Sequence, residues 1–318
     1  MTGRNPELDD FLDVLRKRLV SSDGSDADVI RATLQAADVL DLARETAEFD
    51  DALDWLIGTV RTTAHFSPSA AFALAGRLAA QRGLAALDTA DADTRDVTSA
   101  VINPSADPWT AAVPTLIASR AVVLLDRGTG SATLAPWDSL VVEGAEGARR
   151  SGLSEAALRT VRLGDTTEEL PDTVALAIAR DWDLFTGAVA LGLSERALVT
   201  AETYAAERRQ FGSPISAFAG LRAMLAEMQI RICAVRSMLG RAAAGDLDTA
   251  EVLALAGRAA VDVCLDAIQV HGGYGYIDEY PVAGLLRDAL SVRARGGGRR
   301  ALVAQVAARR LGRAEGEA

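Results

Sequence analysis

The sequence predicts a mostly α-helical chain in which a small β lobe separates two helical regions. Three observations predict it. Ala and Leu dominate the 318 residues while aromatic residues make up only 5%, a bias toward side chains that lose least free energy on entering a helix. Apolar residues recur at helical spacing at both ends of the chain. The middle instead alternates short β-rich runs with Gly, Pro and Asp. The expected division is an N-terminal helical domain over 1–92, a small β domain over 93–168 and a C-terminal four-helix bundle over 169–318.

In the first region, Pro6 to about Leu87 reads as four amphipathic helices. Leu8, Phe11, Leu12 and Leu15 form one stripe, and Leu34, Val39, Leu40 and Leu42 a looser one. Ser67-Pro68 is a start signal for the Ala-rich stretch from Ser69 to Leu84, with Pro in the first turn and Gly83 as the stop. In the middle, Arg120–Leu125, Leu140–Glu143 and Thr160–Leu163 read as strands. From Leu170 onward the helical period returns. Leu221, Leu225, Met228, Ile232, Val235 and Leu239 step by four and three, the stripe of a bundle helix. Breaks are expected near Gly212-Ser213-Pro214, Gly245-Asp246 and Gly272-Gly273.

A net charge of −11 speaks against nucleic acid as a partner, because phosphates would be repelled. Locally the sign reverses. Eight arginines (287, 293, 295, 299, 300, 309, 310 and 313) lie between Arg287 and Arg313 against the single Asp288. They read either as a solvated helix face or as an anion site. Cys233 and Cys264 sit in apolar helical patterns and are expected as buried free thiols of a reducing cytoplasm. With His65 and His271 as the only histidines, no zinc site is expected. No uninterrupted apolar run spans a bilayer and Met1 to Glu7 has no signal pattern, so the expected location is cytoplasmic, away from any membrane.

Two segments of the bundle carry more information. One is Tyr204-Ala-Ala-Glu-Arg208-Arg209-Gln210-Phe211-Gly212-Ser-Pro-Ile215, followed by Phe218. The other is Ala267-Ile-Gln269-Val-His271-Gly272-Gly273-Tyr-Gly275-Tyr, then Glu279-Tyr-Pro281 and Arg287-Asp288. Taken singly, the first could close a helix with Gly212 as a left-handed cap, and the Gly pair could be an ordinary turn. In this order and separation, over about Leu170 to Leu311, they resemble the signatures of the acyl-CoA dehydrogenase family. The resemblance implies FAD shared between two protomers. One supplies the β lobe and the catalytic base. Its neighbour supplies contacts to the ADP half of FAD, here from Arg208, Gln210, Phe211, Gln269, Gly272 and Gly273. An arginine fork suits a pyrophosphate, an aromatic ring packs on adenosine, and glycines let the backbone approach.

The family's reaction needs a carboxylate to remove the α-proton of an acyl thioester. Where most members carry that Glu, this sequence has Gly296, and Gly298 replaces the Thr that comes after it. The alternative position, on the first long bundle helix, is Trp182, flanked by Asp181 and Asp183, which read as solvated or helix-start carboxylates. The lobe is shorter than the family's. Asn103-Pro104-Ser105-Ala106-Asp107 stands near the place of its flavin-side loop, and Trp109 or Trp137 is expected to pack rather than touch a flavin. The resemblance therefore implies a degenerate, non-catalytic subunit of a heterotetrameric acyl-CoA dehydrogenase of the steroid side-chain-degrading type. Its implied partners are a catalytic sibling in an α2β2 assembly, an acyl-CoA bound mainly by that sibling, and an electron-transfer flavoprotein as acceptor. Two other readings stand beside it: a flavin-free helical scaffold, and a homomeric dehydrogenase using Asp181 or Asp183 as base.

Overall fold

The computed structural model describes residues 5–22, 27–85, 87, 96–103, 110–143, 151–164, 166–295 and 298–312. Five helices make the N-terminal region: α1 (Pro6–Val20), α2 (Ala27–Ala36), the one-turn α3 (Leu42–Glu45), α4 (Ala52–Phe66) and α5 (Pro68–Leu84). Asn5 caps α1 by accepting hydrogen bonds from the N–H groups of Glu7 and Leu8 at 2.9 and 3.3 Å, and Leu12, Leu15 and Leu19 point inward. Ser67 caps α5 in the same way through Ala70, with Pro68 at the first position. The loose stripe Leu34–Leu42 is not one helix. Asp38 adopts φ +55° and turns the chain after α2. Leu34, Val39 and Leu42 still reach one core because a turn brings them to the same side.

Helix α5 is buried along nearly its whole length, between helices on one side and the sheet on the other. Small side chains make this possible. A Cβ on Gly76 would lie 2.7 Å from the Ser99 carbonyl oxygen. Gly83 is a contact residue, not a stop, since a Cβ there would lie 2.1 Å from Ile178 of the helix that crosses it. The helix runs one residue past it.

The sheet has seven strands in the order β5-β6-β2-β1-β3-β4-β7. They are β1 (Val97–Asn103), β2 (Thr110–Val113), β3 (Ala121–Leu125), β4 (Ala132–Pro136), β5 (Val141–Glu143), β6 (Arg159–Arg162) and β7 (Glu168–Glu169). Strands β3, β5 and β6 match the three expected runs within a residue. Strand β1 pairs parallel with β3 and is buried on both faces, so it lacks the alternation that would mark it in sequence. Trp137 packs half-buried on the sheet's smaller cluster. Trp109 and residues 104–107 lie outside the described residues.

Beyond the sheet come α6 (Asp172–Glu207), α7 (Ala219–Ala243), α8 (Thr249–His271), α9 (Val282–Ala294) and α10 (Gly298–Leu311). At 36 residues α6 is the axis of the molecule, packing against α4, α5, α7, α8 and α9. Gly192 lets α4 approach it, because a Cβ would sit 2.1 Å from the Arg61 carbonyl oxygen. The stripe on α7 buries Met228, Ile232, Val235 and Leu239 as expected. Cys264 is buried, but Cys233 is exposed on α7, contrary to expectation. It falls outside that stripe, on the solvent face. No described helix is long and apolar enough to cross a membrane.

The aspartate of the Arg287-Asp288 pair ties α9 to the loop entering β6. Its carboxylate accepts a 2.7 Å hydrogen bond from the Leu153 N–H. That holds Leu153 at φ +51°, a conformation costing about 1–2 kcal/mol for a side-chain-bearing residue. Burial pushes Asp288 up to about 6, against the lowering effect of the Leu153 bond, with Glu155 adding to the rise. The folded state therefore holds a proton that the unfolded chain has lost between pH 4 and 6. This contribution is present in full below the unfolded value and disappears as pH rises through about 6. Asp288→Asn keeps the acceptor and removes the charge. In urea titrations its stability relative to the parent should rise by about 2 kcal/mol from pH 4 to pH 7 and then level off. A flat difference would show that the carboxyl titrates normally.

Candidate functional site

The two sequence motifs meet where α6 and α8 end. Helix α6 stops at Arg208, whose backbone turns extended, and a short hairpin comes next: β8 (Arg209–Gln210) against β9 (Ser213–Pro214). Its two-residue loop is Phe211-Gly212, with φ of +51° and +83°. Both positive angles define a type I′ turn, which favours Asn-Gly and penalises a bulky first residue. Gly212 thus closes a hairpin and does not cap the helix. Phe211 sits in the strained position and is 95% exposed, touching only the edge of Phe218 at 6.3 Å between ring centres.

Beneath the hairpin lies an aromatic cluster. Tyr204 stacks on His271 at 4.2 Å and meets Tyr280 edge-on at 5.6 Å. The Arg208 guanidinium rests over the Tyr274 ring at 5.3 Å and has no carboxylate partner among the described residues. His271 is buried, with Nδ1 2.7 Å from the Ala267 carbonyl oxygen. Burial lowers its pKa, so the ring is neutral near pH 7. Gln210, Gln269, Gly272 and Gly273 are exposed beside this cluster. Gly272 adopts φ +59° and ψ −134°, a conformation reserved for glycine. A Cβ at either Gly272 or Gly273 would meet nothing within 4 Å, so the backbone there is open to an incoming group. All six predicted contact residues therefore lie around the ends of two adjacent helices. A cation with no carboxylate partner among the described residues, an outward aromatic ring and open glycine backbone are a set that fits the ADP half of FAD. The tyrosines that support Arg208 were present in the motifs, but only the fold shows what they carry.

The Trp182 region is different. Trp182 is 2% exposed and packs edge-on against Phe72 of α5 at 6.3 Å, while the Arg127 guanidinium lies over its ring at 5.3 Å. Its neighbours are not solvated or helix-start carboxylates. Both are buried, in the third and fourth turns of α6, because α5, the β3–β4 turn and α8 cover that face. Asp181 accepts from Arg82 at 2.7 Å, and burial raises its pKa against the opposing effect of Arg82. Asp183 pairs with Arg127 and accepts from the Thr249 hydroxyl at 3.2 Å. Arg127 also donates to Gln305 at 2.9 Å. These partners are 99 and 56 residues away in sequence, and no local signal announces them.

Two cavities flank this wall. One, of about 570 Å³, is lined by Arg127, Asp183, Thr249 and Gln305. The other, of about 280 Å³, lies between the sheet and α6 and is lined by Phe72, Val101, Trp182 and Arg295. Gly296, at the family's usual base position, lies outside the described residues. The arginine-rich segment is mostly a solvated face braced by acids, with Arg309 2.6 Å from Asp248 and Arg310 2.8 Å from Glu251; Arg313 is outside the described residues.

Arg127→Ala would leave Asp183 buried and unpaired, so it should cost about 3–5 kcal/mol in urea unfolding. Arg127→Met combined with Asp183→Leu should recover most of that loss. An unchanged midpoint for Arg127→Ala would remove the pair from its structural role.

Comparison with known proteins bears on both halves of the site. Residues 184–311 match the family profile described as acyl-CoA dehydrogenase, C-terminal domain. Over 130 residues the chain is 41% identical to the 3-sulfinopropanoyl-CoA desulfinase of Paraburkholderia xenovorans, covering 39% of this chain and 34% of that one. Over 111 residues it is 44% identical to an acyl-CoA dehydrogenase of Bacillus subtilis, covering 32% and 29%. The matches thus span about a third of the length of these curated relatives. Among solved structures, the butyryl-CoA dehydrogenase of Megasphaera elsdenii superposes with a TM-score of 0.71 at 18% identity, covering 95% of this chain and 97% of that one. A variant of the Tcur3481-Tcur3483 steroid ACAD gives 0.73 at 21% identity, covering 93% and 95%. At these identities the structures establish a common fold.

Proposed function

We propose, from the match of residues 184–311 to the acyl-CoA dehydrogenase C-terminal domain and from the fold shared with butyryl-CoA dehydrogenase, that the chain is the non-catalytic subunit of a heteromeric FAD-dependent acyl-CoA dehydrogenase. In an α2β2 assembly it lends Arg208, Gln210, Phe211, Gln269, Gly272 and Gly273 to the ADP half of FAD held by a catalytic sibling. FAD, when bound, supplies the acceptor for the hydride leaving the β-carbon of an acyl-CoA thioester, and an electron-transfer flavoprotein then takes the electrons.

The observation that carries this reading is Phe211: an aromatic ring held at positive φ, 95% exposed, beside an arginine without an acidic partner among the described residues. A bare type I′ turn costs less with Asn in that place, and the strain makes sense when a second molecule packs on the ring. Arg208, steadied by Tyr274, is aimed to meet a pyrophosphate. The same reading accounts for the other half of the site. Gly296 offers no base, Trp182 fills the alternative position, and Asp181 and Asp183 are consumed by buried ion pairs. The substrate we propose is a bulky acyl-CoA of the steroid side-chain type, by analogy with the steroid ACAD that shares the fold.

Flavin absorbance tests it. The chain purified alone should be colourless, and co-expressed with its catalytic sibling it should be yellow at about one FAD per pair. One FAD per chain when purified alone would overturn the shared site, and no flavin in either preparation would leave a scaffold. Within the complex, Arg208→Ala should lower FAD retention about tenfold or more with the helices intact. Phe211→Asn should separate the two roles of that residue. It should hold or raise the stability of the free chain by about 0.5–1 kcal/mol while weakening FAD retention.

A further inference from the structure

A groove that shares no residue with the Arg208 cluster lies where α1, α4, α6 and α7 converge. Its volume is about 540 Å³, within the range of small-molecule sites, roughly 300–1,000 Å³. One wall is apolar: Phe66, Leu198, Val199 and Ile232. The other carries three arginines, Arg16, Arg61 and Arg236, against two glutamates, Glu195 and Glu202. Two of the arginines converge on one acid, with Arg236 2.7 Å and Arg61 3.9 Å from Glu195. Arg16 leans on Asp13 at 2.5 Å, at the mouth. Asp13 balances Arg16, while Arg61 and Arg236 share the single carboxylate of Glu195.

Thr62 decides what the groove is for. It is 4% exposed, lines the groove, and its hydroxyl has no hydrogen-bond partner. On the same helix Thr59 and Thr63 satisfy their hydroxyls by donating to the carbonyls of Trp55 and Thr59, at 2.8 and 2.9 Å. That is the ordinary solution for a helical threonine. An orphaned buried hydroxyl costs about 1–3 kcal/mol, and such groups in native proteins call for an explanation.

We propose that this groove binds a small amphipathic monocarboxylate. The Thr62 hydroxyl donates to the carboxylate, Arg61 and Arg236 turn part of their charge from Glu195 to it, and the hydrocarbon tail lies on Phe66, Leu198 and Ile232. Two guanidiniums that share one acid retain donors for a monoanion, and the mixed walls match a polar head on an apolar body.

The test is calorimetric titration of the full chain with octanoate and its neutral isostere octanamide. Octanoate should bind with a Kd on the order of 0.1–1 mM, and octanamide about tenfold more weakly. Arg236→Gln should weaken octanoate about tenfold. Thr62→Val, which keeps the shape, should weaken it about fivefold and at the same time raise the thermal midpoint of the unliganded chain, since it removes the orphaned hydroxyl. A purely structural threonine would not move both in those directions. Equal affinity for octanoate and octanamide, binding unchanged in both variants, or no heat up to about 10 mM octanoate would each overturn the proposal. Flavin content of the co-expressed complex should be the same for Thr62→Val and its parent, which keeps this test separate from that of the shared FAD site.

Discussion

Arg127 and Asp183 meet where three parts of the molecule join. The arginine comes from the β3–β4 turn, the aspartate from the fourth turn of α6, and Thr249 and Gln305 bring in α8 and α10. Both charges are out of water, and each is tolerable only because the other is there. The pair therefore sets how the sheet sits on the bundle. Trp182 is held in the same arrangement, clamped between the Arg127 guanidinium and Phe72. The junction of sheet and bundle is thus occupied by an ion pair and an indole ring.

The opposite end of α6 shows the complementary design. There the helix stops in the open, and the groups around its end are built to be touched: an exposed ring on a strained turn, a guanidinium propped on a tyrosine, and glycines with clear space over the backbone. The supporting cluster of Tyr204, His271, Tyr274 and Tyr280 is packed ring on ring, which gives the exposed groups a rigid base. One helix thus carries a closed site near its start and an open one at its end. Roughly 1.5 Å per residue along α6 separates the two.

Close approach is the other constraint running through the fold. Gly76, Gly83 and Gly192 stand where α5 meets β1, where α6 crosses α5, and where α4 meets α6, and a methyl group at any of them would overlap a neighbour. These contacts allow α5, and α6 over residues 181–194, to be covered on all sides. A helix buried all round has no polar face, so neither shows a clean amphipathic stripe.

That is why the sequence was informative about some elements and silent on others. Helices with one wet face were legible, α1 and α7 with its run from Met228 to Leu239, as were the β-rich runs of β3, β5 and β6. The cap at Ser67-Pro68 and the breaks at Gly212, Gly245 and Gly272 were legible because local backbone chemistry demands those residues. By itself the sequence determined the helical class, the β interruption, the two motifs at the helix ends and the absence of a glutamate at residue 296. Tertiary structure alone decided the rest. Strand β1 lacked alternation because both its faces are covered. Asp181 and Asp183 looked like surface carboxylates until Arg82 and Arg127 arrived from far along the chain. Gly83 looked like a stop until Ile178 was seen against it. In each case the deciding partner is distant in sequence, and a burial cost or a steric overlap exists only once the chain has brought the two together.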